Sequence, residues 1–434
     1  MLDIQFIRDN ADLVAEKAKQ KGYPVDIPKL LELDGQRRTR LTQIDELRAR
    51  RNAQAAELKG GKPTDEQIAA GKQLKEELAQ LETDLKTIEA QYDTLLKSVP
   101  NMPLEDVPVG ASEDENVVAK QVGDKTAFDF TPKSHWEIAE SRDLIDKERA
   151  SKVAGARFAY IKGNLVRLQF AVVQFVLDTL GDEMVLQKLI DENGLHIPAK
   201  PFTPVLPPAM IKTDVFAAMD RLEPRDDRYR VGEAEDDLWL QGSAEHTLGS
   251  MYMDEIIDET QMPIRYVGYS SSFRREAGTY GKDTEGIIRM HQFDKLEMEV
   301  FSTPETGLEE HQLLCAIQEY LVQQLGLPYQ VLQKCTADIG KPNARGIDIE
   351  VWMPGQDKYR ETHTADYMTD YQARRLKTRV RKSDGSVALV HTNDATAFAL
   401  GRIMVAIIEN YQTADGHVKI PAALQRYLSG LQEI

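Results

Sequence analysis

Cysteine is nearly missing from this chain: Cys315 and Cys335 are the only two in 434 residues, and they have no CxxC spacing. That excludes a disulfide framework and leaves no basis for a structural zinc site, so both are expected as free thiols in a reducing compartment. Also absent is any apolar run of about eighteen residues, the length a membrane-spanning helix needs. The opening MLDIQFIRDN lacks a basic segment followed by an apolar one, so neither membrane insertion nor secretion is expected and the reading is cytoplasmic. The glycine loops GxxxxGK[ST] and GxGxxG do not occur, which removes the usual glycine-loop nucleotide sites. Positive charge is outnumbered, with 54 lysines and arginines against 71 aspartates and glutamates. The formal charge of -17 repels polyanions at long range and counts against nucleic-acid binding unless cations cluster locally.

What is present is enough apolar material, 41% of residues, for a sizeable core divided between two domains. One cationic cluster stands out. In RRTRLTQIDELRARR, Arg37, Arg38, Arg40, Arg48, Arg50 and Arg51 share a short helical segment, which suits either a solvated face or a polyanion contact. Further on, Leu74, Leu78, Leu81, Leu85, Ile88, Tyr92 and Leu95 recur at intervals of four and three, the seam of a coiled coil. Leu41, Ile44, Ala55 and Leu58 form a weaker matching seam upstream, and GGKPT at Gly60 to Thr64 lets the chain reverse between them. An antiparallel helical hairpin is expected, with helices roughly 45 Å long at 1.5 Å per residue. Periodicity leaves open whether such a hairpin reaches a large ligand or serves as a dimerisation rod. Prolines in VPNMP, Val99 to Pro103, stop the second helix, which sets the domains at 1–103 and 104–434.

After that boundary the pattern changes to strands and helices. Ala171 to Leu180 and Leu313 to Leu325 read as helices; Ile264 to Phe273, Ile287 to Val300, Ile347 to Trp352 and Val387 to Thr392 read as strands. Short loops between neighbouring strands favour an antiparallel sheet with helices packed on it, an α+β domain. The stretch FRREAGTYGKDTEGIIRMHQFDKLEME, Phe273 to Glu299, ends one strand and begins the next. Arg274 there can offer the planar fork that a phosphate or carboxylate accepts. Glu276 cannot serve the same anion and should meet a donor group. On the return strand Phe293 and Glu297 project to one face by alternation, as either a ligand face or a solvent-facing salt-bridge ladder.

These blocks in this order resemble the bacterial-type seryl-tRNA synthetases, class II aminoacyl-tRNA synthetases, along almost the whole chain. The hairpin resembles that family's tRNA-binding arm, FRREAG with HQFDKLE its motif 2, ALGRIMVAIIENYQ at Ala399 to Gln412 its motif 3, and YRETHTADYMTDYQARR at Tyr359 to Arg375 its glutamate-led segment. The resemblance implies a class II catalytic domain that binds ATP, Mg2+ and serine, forms seryl-adenylate, and passes the seryl group to the terminal ribose of tRNA(Ser), with tRNA(Sec) left open as a second acceptor. It implies that Arg274 holds the α-phosphate, Glu276 meets the adenine amino group, Phe293 stacks on adenine, and Arg402 meets the γ-phosphate. Arg274 and Arg402 are thereby the catalytic pair. Arg275, Thr362 and His363 fall in the same ATP-binding segments, and Glu361 with Thr364 would hold Mg2+. Serine would be bound by Ser243, Ala244 and Glu245 of QGSAEH, with Arg274, Glu297 and Thr396. A homodimer is implied, with the Pro204 to Met210 segment at the subunit contact.

The chain departs from the family text in three places. ETHTADY stands where small residues are usual, bringing His363, Asp366 and Tyr367; DATA, Asp394 to Ala397, replaces a glycine-bearing Asn-Gly-Ser-Gly; and DRLEPRDDRYRVGEAEDD precedes QGSAEH. These changes touch the serine end more than the ATP end. Two other readings stay open: a paralogue that activates a different small amino acid, and a non-catalytic RNA-binding dimer.

Overall fold

Helices make up the first of two units, Met1–Met102 and Pro103–Ile434, in the computed structural model, which describes residues 1–57, 64–233, 235–277 and 286–434. In the first unit two short helices, α1 (Ile4–Asp9) and α2 (Ala11–Gln20), precede two long ones, α3 (Ile27–Glu57) and α4 (Asp65–Ser98). A capping box starts α4: the Thr64 hydroxyl accepts from Gln67 N at 3.2 Å while Thr64 N donates to the Gln67 side chain at 2.9 Å, which satisfies two orphan amide donors. Ile44 and Leu47 of α3 are buried with Leu74 and Leu78 of α4, flanked by Leu81 and Leu85. Arg37 pairs with Glu89 at 3.3 Å and Arg48 with Glu82 at 2.8 Å; rising numbers on one helix meet falling numbers on the other, so the pair is antiparallel. The expected reversal at Gly60–Pro63, the seam residue Leu58, and Gly278 with the glycine loop after it lie outside the described residues.

The second unit is built on an eight-stranded sheet. In chain order its strands are β1 (Val117–Val122), β2 (Thr203–Val205), β3 (Ile264–Phe273), β4 (Gln292–Ser302), β5 (Tyr329–Gln333), β6 (Arg345–Met353), β7 (Lys358–Thr369) and β8 (His391–Ala399). They lie side by side as β1-β5-β6-β7-β8-β4-β3-β2. All pairs are antiparallel except β2 with β3. Helices α5 (Asn164–Leu180), α6 (Gly307–Gln324) and α7 (Leu400–Asn410) bury Leu168, Val172, Leu314, Ile317, Ile403 and Ile407 in one core with Leu296, Met298 and Val300 of β4. The opposite face of β4 carries Phe293, Lys295, Glu297 and Glu299, and the last three are also buried. The solvent-facing ladder is therefore not what this face forms.

Two β-bulges shape the sheet around that polar face. Ile349 pairs with His363 and Glu350 with Glu361, so Thr362 has no opposite residue. Leu296 pairs with Phe398 and Glu297 with Thr396, so Ala397 has none. In a regular strand residues three apart point to opposite sides; one extra residue returns them to the same side. Glu361 thereby joins Thr364, and Thr396 joins Ala399, on one wall.

Two strand expectations need correction. The run Ile287 to Val300 is a strand only from Gln292; Gly286 to His291 form a turn, and Ile287, Ile288 and Met290 look strand-like because the turn buries them. The run Val387 to Thr392 divides at Val390. Val387–Leu389 belongs to a small separate sheet with Arg379–Arg381 and Ile256–Asp258, and His391 begins β8. A continuous apolar pattern carries no mark of such a change of sheet.

Candidate active site

The polar face of the sheet, the Gly286 to His291 turn and the first turn of α7 enclose a cavity of about 240 Å³. One end is cationic. Arg274 follows β3, where Nε donates to Gly242 O at 3.1 Å and the guanidinium lies 5.5 Å from the Phe293 ring centre. Arg402, in the first turn of α7, donates from Nη1 to the Glu361 carboxylate and to Glu361 O, both at 2.9 Å. Gly401 beside it allows close approach: a Cβ there would meet Ile287 O at 3.1 Å. Glu276, with a left-handed φ of 55°, accepts from Arg289 Nη1 at 2.5 Å. Thr364 donates to Asp348 at 2.7 Å and lies 3.5 Å from Glu361. Desolvation works upward on Glu361, but Arg402 and Lys334 outweigh it and draw its carboxyl down to about 2. Burial pushes neighbouring Asp348 up to about 7.

The other end is rich in carboxylates. Oxygens of Glu245, Glu297 and Asp394 lie within 4.8 Å of one another. Lys295 reaches Glu297 at 2.5 Å and donates to Ser243 Oγ at 3.1 Å, and Ser243 Oγ donates on to Glu297 at 3.3 Å. Arg221 contacts Asp394 at 3.1 Å and Glu245 at 3.4 Å. Burial disfavours charge throughout this floor. It raises Glu297 to about 7, with Lys295 opposing the shift, and it raises Asp394 and Glu299 well above the usual carboxylate range. Glu245 departs downward: burial pushes its carboxyl up, but Arg221, His246 and Lys295 together outweigh it. A cavity with a guanidinium fork at one end and ionisable carboxylates at the other can hold an anion and an ammonium group side by side.

Comparison with known proteins gives this geometry a family. Residues 1–103 match the seryl-tRNA synthetase N-terminal domain, and residues 229–411 match the tRNA synthetase class II core domain of the G, H, P, S and T enzymes. The serine–tRNA ligase of Exiguobacterium sibiricum is 40% identical over 441 aligned positions that cover 100% of both chains. The chain belongs to the seryl-tRNA synthetase family. Among solved structures, seryl-tRNA synthetase from Pyrococcus horikoshii complexed with ATP superposes with a TM-score of 0.89 at 37% identity, covering 100% of this chain and 99% of that one. Cytoplasmic serine–tRNA ligase from Naegleria fowleri in complex with AMP gives 0.85 at 26% identity, covering 100% and 98%.

Of the residues the synthetase motifs point to, Arg274, Glu276, Phe293, Glu361, Thr362, Thr364 and Arg402 line the cavity together with Glu245, Glu297 and Thr396. Others stand behind it. Ser243 and Ala244 are fully buried, and Ser243 acts on the cavity through Glu297 and Lys295. Arg275 turns aside over the Tyr229 ring at 5.0 Å. His363 is buried with its ring 5.1 Å from Phe398 and its Nδ1 2.7 Å from Thr362 Oγ1, so the bulged strand sends it away from the site. Sequence reasoning missed Arg221, Arg289 and Lys295 as wall residues. Arg289 and Lys295 sit inside the FRREAG to DKLE stretch, but only the fold shows which carboxylates they meet. Among the six arginines of α3, Arg37 and Arg48 are tied to α4, Arg40 donates to Gln43 at 2.8 Å, and Arg38, Arg50 and Arg51 are exposed.

Proposed function

We propose that the chain is an ATP-dependent serine–tRNA ligase that forms seryl-adenylate and transfers the seryl group to tRNA(Ser). The observation that carries this reading is the polarity of the cavity, with Arg274 and Arg402 toward one end and Glu245 with Glu297 toward the other. The serine ammonium lies against Glu245 and Glu297, and its hydroxyl near Thr396. A pocket that hydrogen-bonds a hydroxyl rejects alanine strongly, because alanine leaves buried polar groups unpaired. The serine carboxylate, already a nucleophile at neutral pH, attacks the α-phosphorus of ATP and pyrophosphate leaves. Arg274 meets the charge that grows on the α-phosphate oxygens, and Phe293 offers its face to adenine. Arg402 takes the γ-phosphate in exchange for Glu361. A ribose hydroxyl of the tRNA terminus then attacks the seryl carbonyl and AMP departs. Binding in the right orientation supplies much of the rate, with no covalent protein intermediate.

Glu361, Thr364 and nearby Asp348 form an all-oxygen donor set that suits Mg2+. Bound there, Mg2+ would neutralise phosphate charge during the first step. The arm residues Arg38, Arg50 and Arg51 give the tRNA backbone a local cationic surface on an otherwise acidic protein. A homodimer is supported by the exposed apolar side chains of Leu206, 80% accessible, and Met210 in the Pro204 to Met210 segment. The test is charging of a tRNA(Ser) transcript with labelled serine: acid-stable, base-labile label on the tRNA is expected, and its absence in the presence of ATP and Mg2+ would reject the assignment.

A further inference from the structure

Arg221 lies in the segment DRLEPRDDRYRVGEAEDD, which the family motifs do not cover, yet its side chain reaches the floor of the amino-acid end. Its guanidinium contacts Asp394 at 3.1 Å, Glu245 at 3.4 Å and Asp366 at 4.0 Å. Among the described residues no other arginine or lysine comes within 4.0 Å of Glu245 or Asp394. Lys295, the next cation on the floor, is engaged by Glu297 and Ser243.

The backbone on either side of Arg221 is fixed in place. Asp220, in a left-handed conformation with φ 59°, accepts from Tyr371 at 2.9 Å and pairs with Lys341 at 3.1 Å and Arg375 at 3.3 Å. Arg228 donates twice to Arg221 O, at 3.2 and 3.0 Å, and Gln372 donates to Met219 O at 3.1 Å. A long side chain pinned at its root loses less freedom when it binds and holds its partners to one geometry.

We propose that Arg221 is the positioning residue of the amino-acid pocket, holding Glu245 ionised and Asp394 beside it as the floor on which the substrate ammonium is received. Carboxylates this close cannot all ionise without a counter-charge, and the ammonium needs the ionised form. Asp366 and Asp394 are two carboxylates in segments where the chain departs from its family. Arg221 supplies the close counter-charge for Asp394 beside Glu245 and shares that of Asp366 with Lys334. The inference rests on the ligase reading and adds a residue to its amino-acid site.

ATP–pyrophosphate exchange separates this role from a general structural one. Arg221→Met is expected to raise the serine KM by about tenfold or more, the effect of one pKa unit on a group that must be charged, while the ATP KM stays at the wild-type value. Arg221→Lys keeps the charge without the fork and should raise the serine KM less. Adding Asp394→Asn to Arg221→Met removes one carboxylate and should recover part of the loss. Equal rises in both KM values, or a double variant no better than Arg221→Met, would overturn the proposal. If Arg221→Met gives no cooperative melt, Arg221→Lys decides: an unchanged serine KM overturns it. Wild-type protein that exchanges no label with serine would reject the ligase reading and this inference together, whereas normal wild-type exchange with an unmoved serine KM in the variants rejects this inference alone.

Discussion

Arg274 follows Phe273, which ends β3 opposite Gln292, whereas Glu297 lies further along β4 opposite Gly268, and their opposite charges set the two ends of the cavity. Arg274→Ala should lower serine-dependent pyrophosphate exchange by at least about a hundredfold, the usual loss when a donor to a developing oxyanion is removed, with an unchanged melting curve; near-normal exchange would reject its assigned role. Glu297 sets a pH dependence. Burial raises its carboxyl to about 7, and only the ionised form offsets the serine ammonium. Serine affinity should therefore rise with pH through about 7 and then level off, measured as the serine KM in exchange across pH 5.5 to 8.5, roughly one and a half units either side of that value. A KM that stays flat over this range would contradict the role of Glu297 in ammonium binding. At this scale the sequence made Arg274, Glu276, Glu361 and Arg402 legible because their spacing is that of known motifs. Arg221 was not legible, because a cation that serves carboxylates from other segments leaves no periodic trace, whereas Lys295 shares the Phe293 and Glu297 face by alternation and only its pairing with Glu297 needed the fold.

The elements do the placing. Alternation on β4 correctly puts Phe293 and Glu297 on one face, and the coiled-coil period correctly gives α4. The bulges at Thr362 and Ala397 escape any period-two reading, yet they bring Glu361 beside Thr364 and turn His363 inward. On the arm, the arginine cluster contains two kinds of residue that look alike in sequence. Arg37 and Arg48 join the two helices, while Arg38, Arg50 and Arg51 face solvent. Replacing the three exposed arginines with glutamine should weaken tRNA binding and reduce the slope of log K against log salt by up to about three, near one for each phosphate that is no longer neutralised. A variant with wild-type affinity and slope would show that these arginines do not touch the tRNA.

At the scale of the whole chain, an acidic protein with a charge of -17 has to confine its contacts with a polyanion to local cationic surfaces. The proposed function gives the two units separable duties. Deleting residues 30–96 should leave exchange near wild type and cripple transfer to tRNA; equal loss of both would make the helical unit a structural prop. What the full chain activates is decided by one assay, ATP–pyrophosphate exchange with serine, threonine, alanine and glycine supplied in turn. Serine should support exchange far above the other three, with alanine rejected for its missing hydroxyl and threonine for its extra methyl group. Exchange that is absent with all four, or that favours another of them over serine, would contradict the account.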